Sequence, residues 1–270
     1  MSGPVSIPLA EVICMKIERI AKRLDDAALY AQATLQLGGE DTVTLEEAYA
    51  VQRLLIEKRL ARGARQVGVK MGFTSRAKMA QMGVSDLIWG RLTSDMWIEE
   101  GGSIDLSRYV HPRVEPEVCF LLGKRLEGHV TPLQALAAVE AVAPALEVID
   151  SRYCNFKFSL PAVVADNASS SGFVVGGWQR PDTDLGNLGL VMSFDGRAVE
   201  MGSTAAILGA PVRALVAAAR LAAQQGEALE PGSLVLAGAA TAAVALRPGV
   251  AVRCEFQDLG SVAFETLREE

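Results

Sequence analysis

Residues 114–122 run Val114-Glu115-Pro116-Glu117-Val118-Cys119-Phe120-Leu121-Leu122, a very apolar segment of strand length with two acids at its head. Side chains alternate along a strand, so acids two apart point to one face. Two like charges aimed the same way beside an apolar strand repel and lose hydration unless a cation joins them. A third acid, Glu147, interrupts a second apolar segment, Ala143-Pro144-Ala145-Leu146-Glu147-Val148-Ile149, and a buried acid needs a partner. Three oxygen ligands that leave positions for water and substrate suit a hard ion such as Mg2+ or Mn2+. Acid-x-acid pairs also arise by chance in a chain with 32 Asp and Glu, as Asp182-x-Asp184 does in a polar loop. These residues alone therefore leave a metal site and a structural explanation both open.

Around these two segments the texture is strand-rich. From Val67 onward, short apolar runs are punctuated by Gly, Pro and Asp-Gly, which predicts strands over 114–122, 145–149, 172–175, 188–194, 234–237 and 250–256. Asp195-Gly196 suits a two-residue hairpin turn. Two helices interrupt the strands, one from Pro132 behind a Thr131 cap and one over 211–225 with Gly226 as its stop. Strands outnumber helices and do not alternate with them regularly, which favours an α+β architecture built on a mixed or antiparallel barrel-like sheet over a doubly wound one. Upstream, 17–37 is rich in Ala, Leu, Lys and Arg and reads as a helix. A second helix opens on a Thr44/Glu47 capping box, with Leu45, Ala48, Tyr49, Leu55 and Ile56 at helical spacing. The expected division is a helical segment over 1–65 and a mixed-sheet catalytic domain over 66–270.

Composition narrows the function. A chain of 270 residues, half of them hydrophobic, buries a substantial core without staples. Cys14, Cys119, Cys154 and Cys254 form no Cys-x-x-Cys pair, which argues against a disulfide framework or thiolate zinc and fits a reducing cytoplasm. No run has bilayer-spanning length, and the start lacks the basic-then-apolar pattern of a secretion signal, so no membrane is expected. A net charge of -6 without a basic block gives no expectation of nucleic acid. Such a balance disfavours anionic substrates unless a local cation reverses the field. The glycines of 68–72 and 186–189 lack phosphate-loop spacing.

Glu115-x-Glu117, 29 intervening residues and Glu147 resemble the metal signature of the fumarylacetoacetate hydrolase superfamily. The segments 111–117 (HPRVEPE), 147–153 (EVIDSRY) and 165–170 (ADNASS) look like the branch that holds 2-hydroxypenta-2,4-dienoate hydratases and 4-oxalocrotonate decarboxylases of aromatic meta-cleavage pathways, and the likeness covers nearly the whole chain. Within it, 70–75 (KMGFTS), 77–84 (AKMAQMGV), 155–158 (NFKF) and 238–245 (GAATAAVA) look more like the decarboxylases. Pro116 and Ala237 depart from the pattern, where a small residue and a threonine are expected.

The resemblance implies the mixed-sheet roll of the fumarylacetoacetate hydrolase C-terminal domain and a Mg2+ or Mn2+ ion on Glu115, Glu117 and Glu147. It also implies decarboxylation of 2-oxohex-3-enedioate, a small 2-oxo dicarboxylate, in which a metal stabilises the dienolate as a Lewis acid. By the same resemblance Lys70 faces the substrate as a charge or proton donor, and Asn167 and Ser170 bind it; without it, Lys70 reads as a surface lysine and the others as turn formers. Arg113 and Arg152 stand near ligand carboxylates in sequence and are expected to hydrogen-bond them from outside. His111 and His129, the only histidines, are expected to make structural contacts, and 79–83 to form a lid. Competing activities are hydration of 2-hydroxypenta-2,4-dienoate, acylpyruvate-type hydrolysis, and a silent subunit that stabilises a hydratase. Association with a homologous hydratase is implied by the resemblance, and self-association is a further partner expectation.

Overall fold

The computed structural model describes residues 8–75, 79 and 86–268. Helix α1 spans Leu9–Leu29 and α2 spans Leu45–Ala61. The α2 start is a complete capping box, in which the Glu47 N–H donates to the Thr44 hydroxyl and the Thr44 N–H donates to the Glu47 carboxylate. Helix α1 departs from the expected 17–37: it begins behind Pro8 and stops at Leu29. Beyond it Thr34 is drawn into a bridge with Tyr153. The Thr34 N–H donates to the Arg152 carbonyl at 2.7 Å, and the Cys154 N–H donates to the Thr34 carbonyl at 2.9 Å. Helix propensity is worth at most ~0.7 kcal/mol per ordinary residue, too little to resist such tertiary pairing.

The strands in chain order are β1 (Gln66–Gly72), β2 (Ile88–Thr93), β3 (Ser103–Ile104), β4 (Arg113–Leu122), β5 (Val139–Ile149) and β6 (Ser170–Val175). They continue as β7 (Gly189–Phe194), β8 (Arg197–Ser203), β9 (Leu234–Leu236), β10 (Val244–Ala245), β11 (Ala251–Phe256) and β12 (Gly260–Thr266). Helices α3 (Pro132–Leu136), α4 (Leu160–Ala165) and α5 (Val212–Gln224) lie between them. One mixed sheet has the order β2-β1-β9-β4-β5-β6, with β10 also on β4; the other runs β3-β12-β11-β7-β8. The β7–β8 hairpin turns on Asp195-Gly196 with φ of 51° and 75°, the positive pair that a type I′ turn needs. Mixed sheets with leading helices are the α+β roll expected above.

The first sheet positions the candidate site. Its inner face carries a dry stripe that includes Leu92, Cys119, Ala143, Ala145, Phe173 and Leu236, all buried. Cys119 shares the pleat of Glu115 and Glu117, and Ala143 and Ala145 share that of Glu147. The acids thus continue an apolar face rather than a wet one. No helix among the described residues is long and apolar enough to cross a membrane. Apart from Met79, the expected lid at 79–83 lies outside the described residues.

Candidate metal centre

Glu115 and Glu147 are direct partners across the antiparallel β4–β5 ladder, and Glu117 stands two residues further on, opposite Ala145. Directly opposed residues share a face, so register alone brings the acids of two distant segments together. One ligand oxygen from each lies within 4.8 Å of the others. All three side chains are buried, Glu117 and Glu147 completely. Lys70 reaches the same face from β1: it is opposite Leu236 of β9, and Leu236 is opposite Cys119 of β4. Its Nζ forms a close ion pair with Glu147 Oε2 at 2.9 Å. The Ser170 hydroxyl donates to Glu147 Oε1 at 2.8 Å, and the Gly238 N–H donates to Glu117 Oε2 at 2.6 Å.

Three carboxylates crowd one buried patch with the Lys70 ammonium against one of them, and a divalent ion would offset the repulsion among them. Burial pushes the Glu117 carboxyl well above the usual carboxylate range, the charges of Glu147 and Glu115 add to the rise, and Lys70 and the Gly238 N–H oppose it. Burial pulls the Lys70 ammonium down, but the three glutamates outweigh it, so the lysine titrates above its ordinary value and stays charged. Glu117 Oε1 is buried without a hydrogen-bond partner, a state that costs about 1–3 kcal/mol if nothing else satisfies it. A hard divalent cation fits this donor set: oxygen ligands only, three mutually repelling carboxylates and an orphaned lone pair.

Gly238 is where the backbone must be glycine. Its φ is 102°, and a Cβ there would stand 2.2 Å from Thr74 Oγ1. Gly238→Ala should therefore cost at least ~1–2 kcal/mol from the backbone alone, with the clash in addition, and should pull the Gly238 N–H off Glu117. A thermal melt checks it; an unchanged midpoint would mean that the loop relaxes freely.

A cavity of about 340 Å³ opens onto Lys70 and Glu115 and is walled by Phe73, Phe156, Phe158 and Ser169 among others. One wall is a turn in which Asn167, Ala168 and Ser169 have φ of 51°, 51° and 61°. Three successive left-handed residues, none of them glycine, cost roughly 1–2 kcal/mol each, and such strain concentrates at functional sites. The turn sends Ser170 to Glu147 and Ser169 to the cavity, where the Ser169 hydroxyl is buried with no partner. The Asn167 side chain instead clasps Arg91: its Oδ1 accepts from the Arg91 N–H at 2.8 Å, and its Nδ2 donates to the Arg91 carbonyl at 2.9 Å. In the sequence Ser169 is one of three polar groups in a loop and gains no binding role, because neither strand nor helix periodicity applies inside a left-handed turn.

The other expected partners sit elsewhere. The Arg152 guanidinium is bonded to the Asp166 carboxylate through Nε, to Ser171 through Nη1 at 2.5 Å and to the Asp166 carbonyl through Nη2 at 2.6 Å. Arg113 stacks over the Phe156 ring at 4.7 Å, on a backbone where Asn155 and Phe156 are both left-handed. The His111 ring packs on Phe156 at 5.2 Å, and burial lowers its pKa. A larger cleft of about 600 Å³ lies beside Asp25, Arg59, Arg62 and Asp95, but these charges pair with one another. Chemistry, not volume, selects the smaller cavity.

The fumarylacetoacetate (FAA) hydrolase C-terminal family model matches residues 67–266. A 4-oxalocrotonate decarboxylase from Pseudomonas sp is 77% identical over 255 residues, 94% of this chain and 100% of that relative. A 2-keto-4-pentenoate hydratase from Paraburkholderia xenovorans is 37% identical, covering 83% of this chain and 84% of its own length. Among solved structures, 4-oxalocrotonate decarboxylase from Pseudomonas putida G7, complexed with magnesium and adipate, superposes with a TM-score of 0.90 at 37% identity, covering 98% of this chain and all of that one.

Proposed function

This chain belongs to the fumarylacetoacetate hydrolase family, and from that premise we propose that it decarboxylates 4-oxalocrotonate (2-oxohex-3-enedioate) to 2-hydroxypenta-2,4-dienoate and CO2, with Mg2+ or Mn2+ held by Glu115, Glu117 and Glu147. The observation that carries the reading is the buried trio of carboxylates with Lys70 against it, in a chain 77% identical to a decarboxylase of that name. When bound, the ion supplies Lewis-acid stabilisation of negative charge at the 2-oxo oxygen. Lys70 holds a proton at Nζ beside the same position. As the bond between C5 and C6 breaks, its electron pair passes through the C3–C4 double bond to that oxygen, and the Lys70 proton completes the enol. Phe156, Phe158, Val163 and Ala168 line the cavity and keep water from the departing carboxylate. In this reading Ser170 orients Glu147, and Asn167, the other substrate-side residue expected from the sequence, acts by holding the cavity-wall turn to the Arg91 backbone.

We place the enzyme in the cytoplasm, free of membrane and nucleic acid, with the 66–270 region as the catalytic unit and the 1–65 helices beside it. The dienol product is unstable, and a homologous hydratase is the partner we assign to it; self-association is the other assembly consistent with the fold.

Following CO2 release and ultraviolet absorbance with each candidate substrate tests the activity. Exhaustive chelation should abolish CO2 release from 2-oxohex-3-enedioate, and added Mg2+ or Mn2+ should restore it. Consumption of the dienol alone would assign the chain to hydration instead, and turnover that survives chelation would remove the metal from the mechanism.

A further inference from the structure

The 167–169 turn is strained and cannot hold its shape unaided, yet it sets Ser169 in the cavity wall and Ser170 on Glu147. At its start the turn is anchored by the two-way clasp between the Asn167 side chain and the Arg91 backbone, and at its end the Ser169 carbonyl accepts from the Asp150 N–H at 2.8 Å and the Ser171 hydroxyl at 3.3 Å. Arg91 is in turn fixed from three sides. Its Nη1 donates to Gln52 Oε1 at 2.5 Å, its Nη2 pairs with Glu227, and its guanidinium lies 4.7 Å over the Trp89 ring. Gln52, fully buried on α2, also donates through Nε2 to the Trp89 and Val164 carbonyls, each at 3.0 Å. One amide from the leading helices thus ties β2 to α4, the helix that runs into the turn.

The same stretch of β2 borders the lysine. Gly90 is the ladder partner of Lys70, and a Cβ at Gly90 would lie 2.5 Å from the Asn167 carbonyl oxygen, so strand and turn meet without room for a side chain. We propose that Gln52, acting through Arg91 and Asn167, is a positioning residue for the cavity: the helical segment ahead of the family match locks the turn that carries Ser169 and Ser170, in register with Lys70. The inference rests on the function proposed above for its kinetic consequence, but not for its structural one.

The test uses the full chain with Mg2+ and compares Gln52→Leu, Asn167→Asp and the double variant. A misplaced wall of this kind should lower kcat about 10- to 100-fold. KM should hold within about threefold, because the glutamates hang on β4 and β5, not on the turn, and the shift in melting temperature on adding Mg2+ should persist for the same reason. Hydrogen exchange over 166–170, read by mass spectrometry, should quicken in each variant, and the double variant should lose no more than the worse single one. If Gln52→Leu does not fold, Arg91→Lys keeps a charge for Glu227 while losing the forked reach to Gln52, and should give the same signs in smaller measure. Wild-type kcat and exchange in Gln52→Leu would overturn the proposal. So would a raised KM in Asn167→Asp beside a neutral Gln52→Leu, which would make Asn167 a direct substrate contact. Should the wild type not decarboxylate the dicarboxylate, the functional reading fails, and the exchange measurements still decide the positioning role.

Discussion

Glu117→Gln should lower metal-dependent turnover by about a thousandfold or more, the ~4 kcal/mol of transition-state stabilisation that a lost Lewis acid represents. The substitution is nearly isosteric. The amide oxygen can still accept the Gly238 N–H that now donates to Glu117 Oε2, so the fold keeps its local bond while the anionic ligand disappears. Metal at about a hundred times its Kd stabilises a native protein by about 2.7 kcal/mol, which for a chain of this size shifts the melting temperature by about 5–10 °C. That shift should vanish in the variant. In chelator, by contrast, the variant should melt at the same temperature as the parent or higher, because a fully buried carboxyl crowded by Glu115 and Glu147 is replaced by a neutral group. Calorimetry with and without Mg2+, beside the CO2 assay, checks both halves. A variant that keeps its metal-induced shift and its rate would show that Glu117 is not a ligand and that the trio is a structural cluster.

Glu115, Glu117 and Glu147 are legible in the sequence because each breaks an apolar run, and strand alternation fixes the relation of the first two. What alternation does not reach is register: nothing local in 114–122 or 143–149 says that Glu115 and Glu147 become ladder partners. That step came from resemblance. The same boundary explains the misplaced end of α1, where pairing of Thr34 with Tyr153 overrides a composition that favours helix. It explains the site as well. Asn167, Ser169 and Ser170 are all polar groups in a loop and only resemblance singles out Asn167 and Ser170, whereas which of 167–170 faces the cavity depends on three left-handed residues that the surrounding bonds enforce. Arg152 shows the converse. It lies close in sequence to Glu147, yet its fork is taken by Asp166 and Ser171, because a buried guanidinium goes where several acceptors converge.

Lys70→Met separates the two charges of the site and should give the opposite thermal pattern. The methionine keeps an apolar stem in the space the lysine fills, so the packing against β9 survives, but the ammonium 2.9 Å from Glu147 Oε2 is gone. In chelator, Glu147 is left buried with two acidic neighbours and, among the described residues, no cation paired with it. Breaking a buried pair in this way costs about 3–5 kcal/mol, so the metal-free variant should melt well below the parent. Adding the metal should then recover more stability than it does in the parent, because the site carries one more net negative charge and the ion no longer faces a neighbouring ammonium. At an effective dielectric of ~20, unit charges 4 Å apart interact by about 4 kcal/mol, enough to make Mn2+ binding several-fold tighter even after most of that energy is screened. Turnover should move the other way, falling by about 10²–10⁴ as the group that holds the proton for the dienolate is removed. Tighter metal with a failed reaction is a combination that general unfolding cannot produce. Weakened Mn2+ binding would instead mean that Lys70 organises the carboxylates rather than the chemistry, and an unchanged kcat would take the lysine out of the proton transfer altogether.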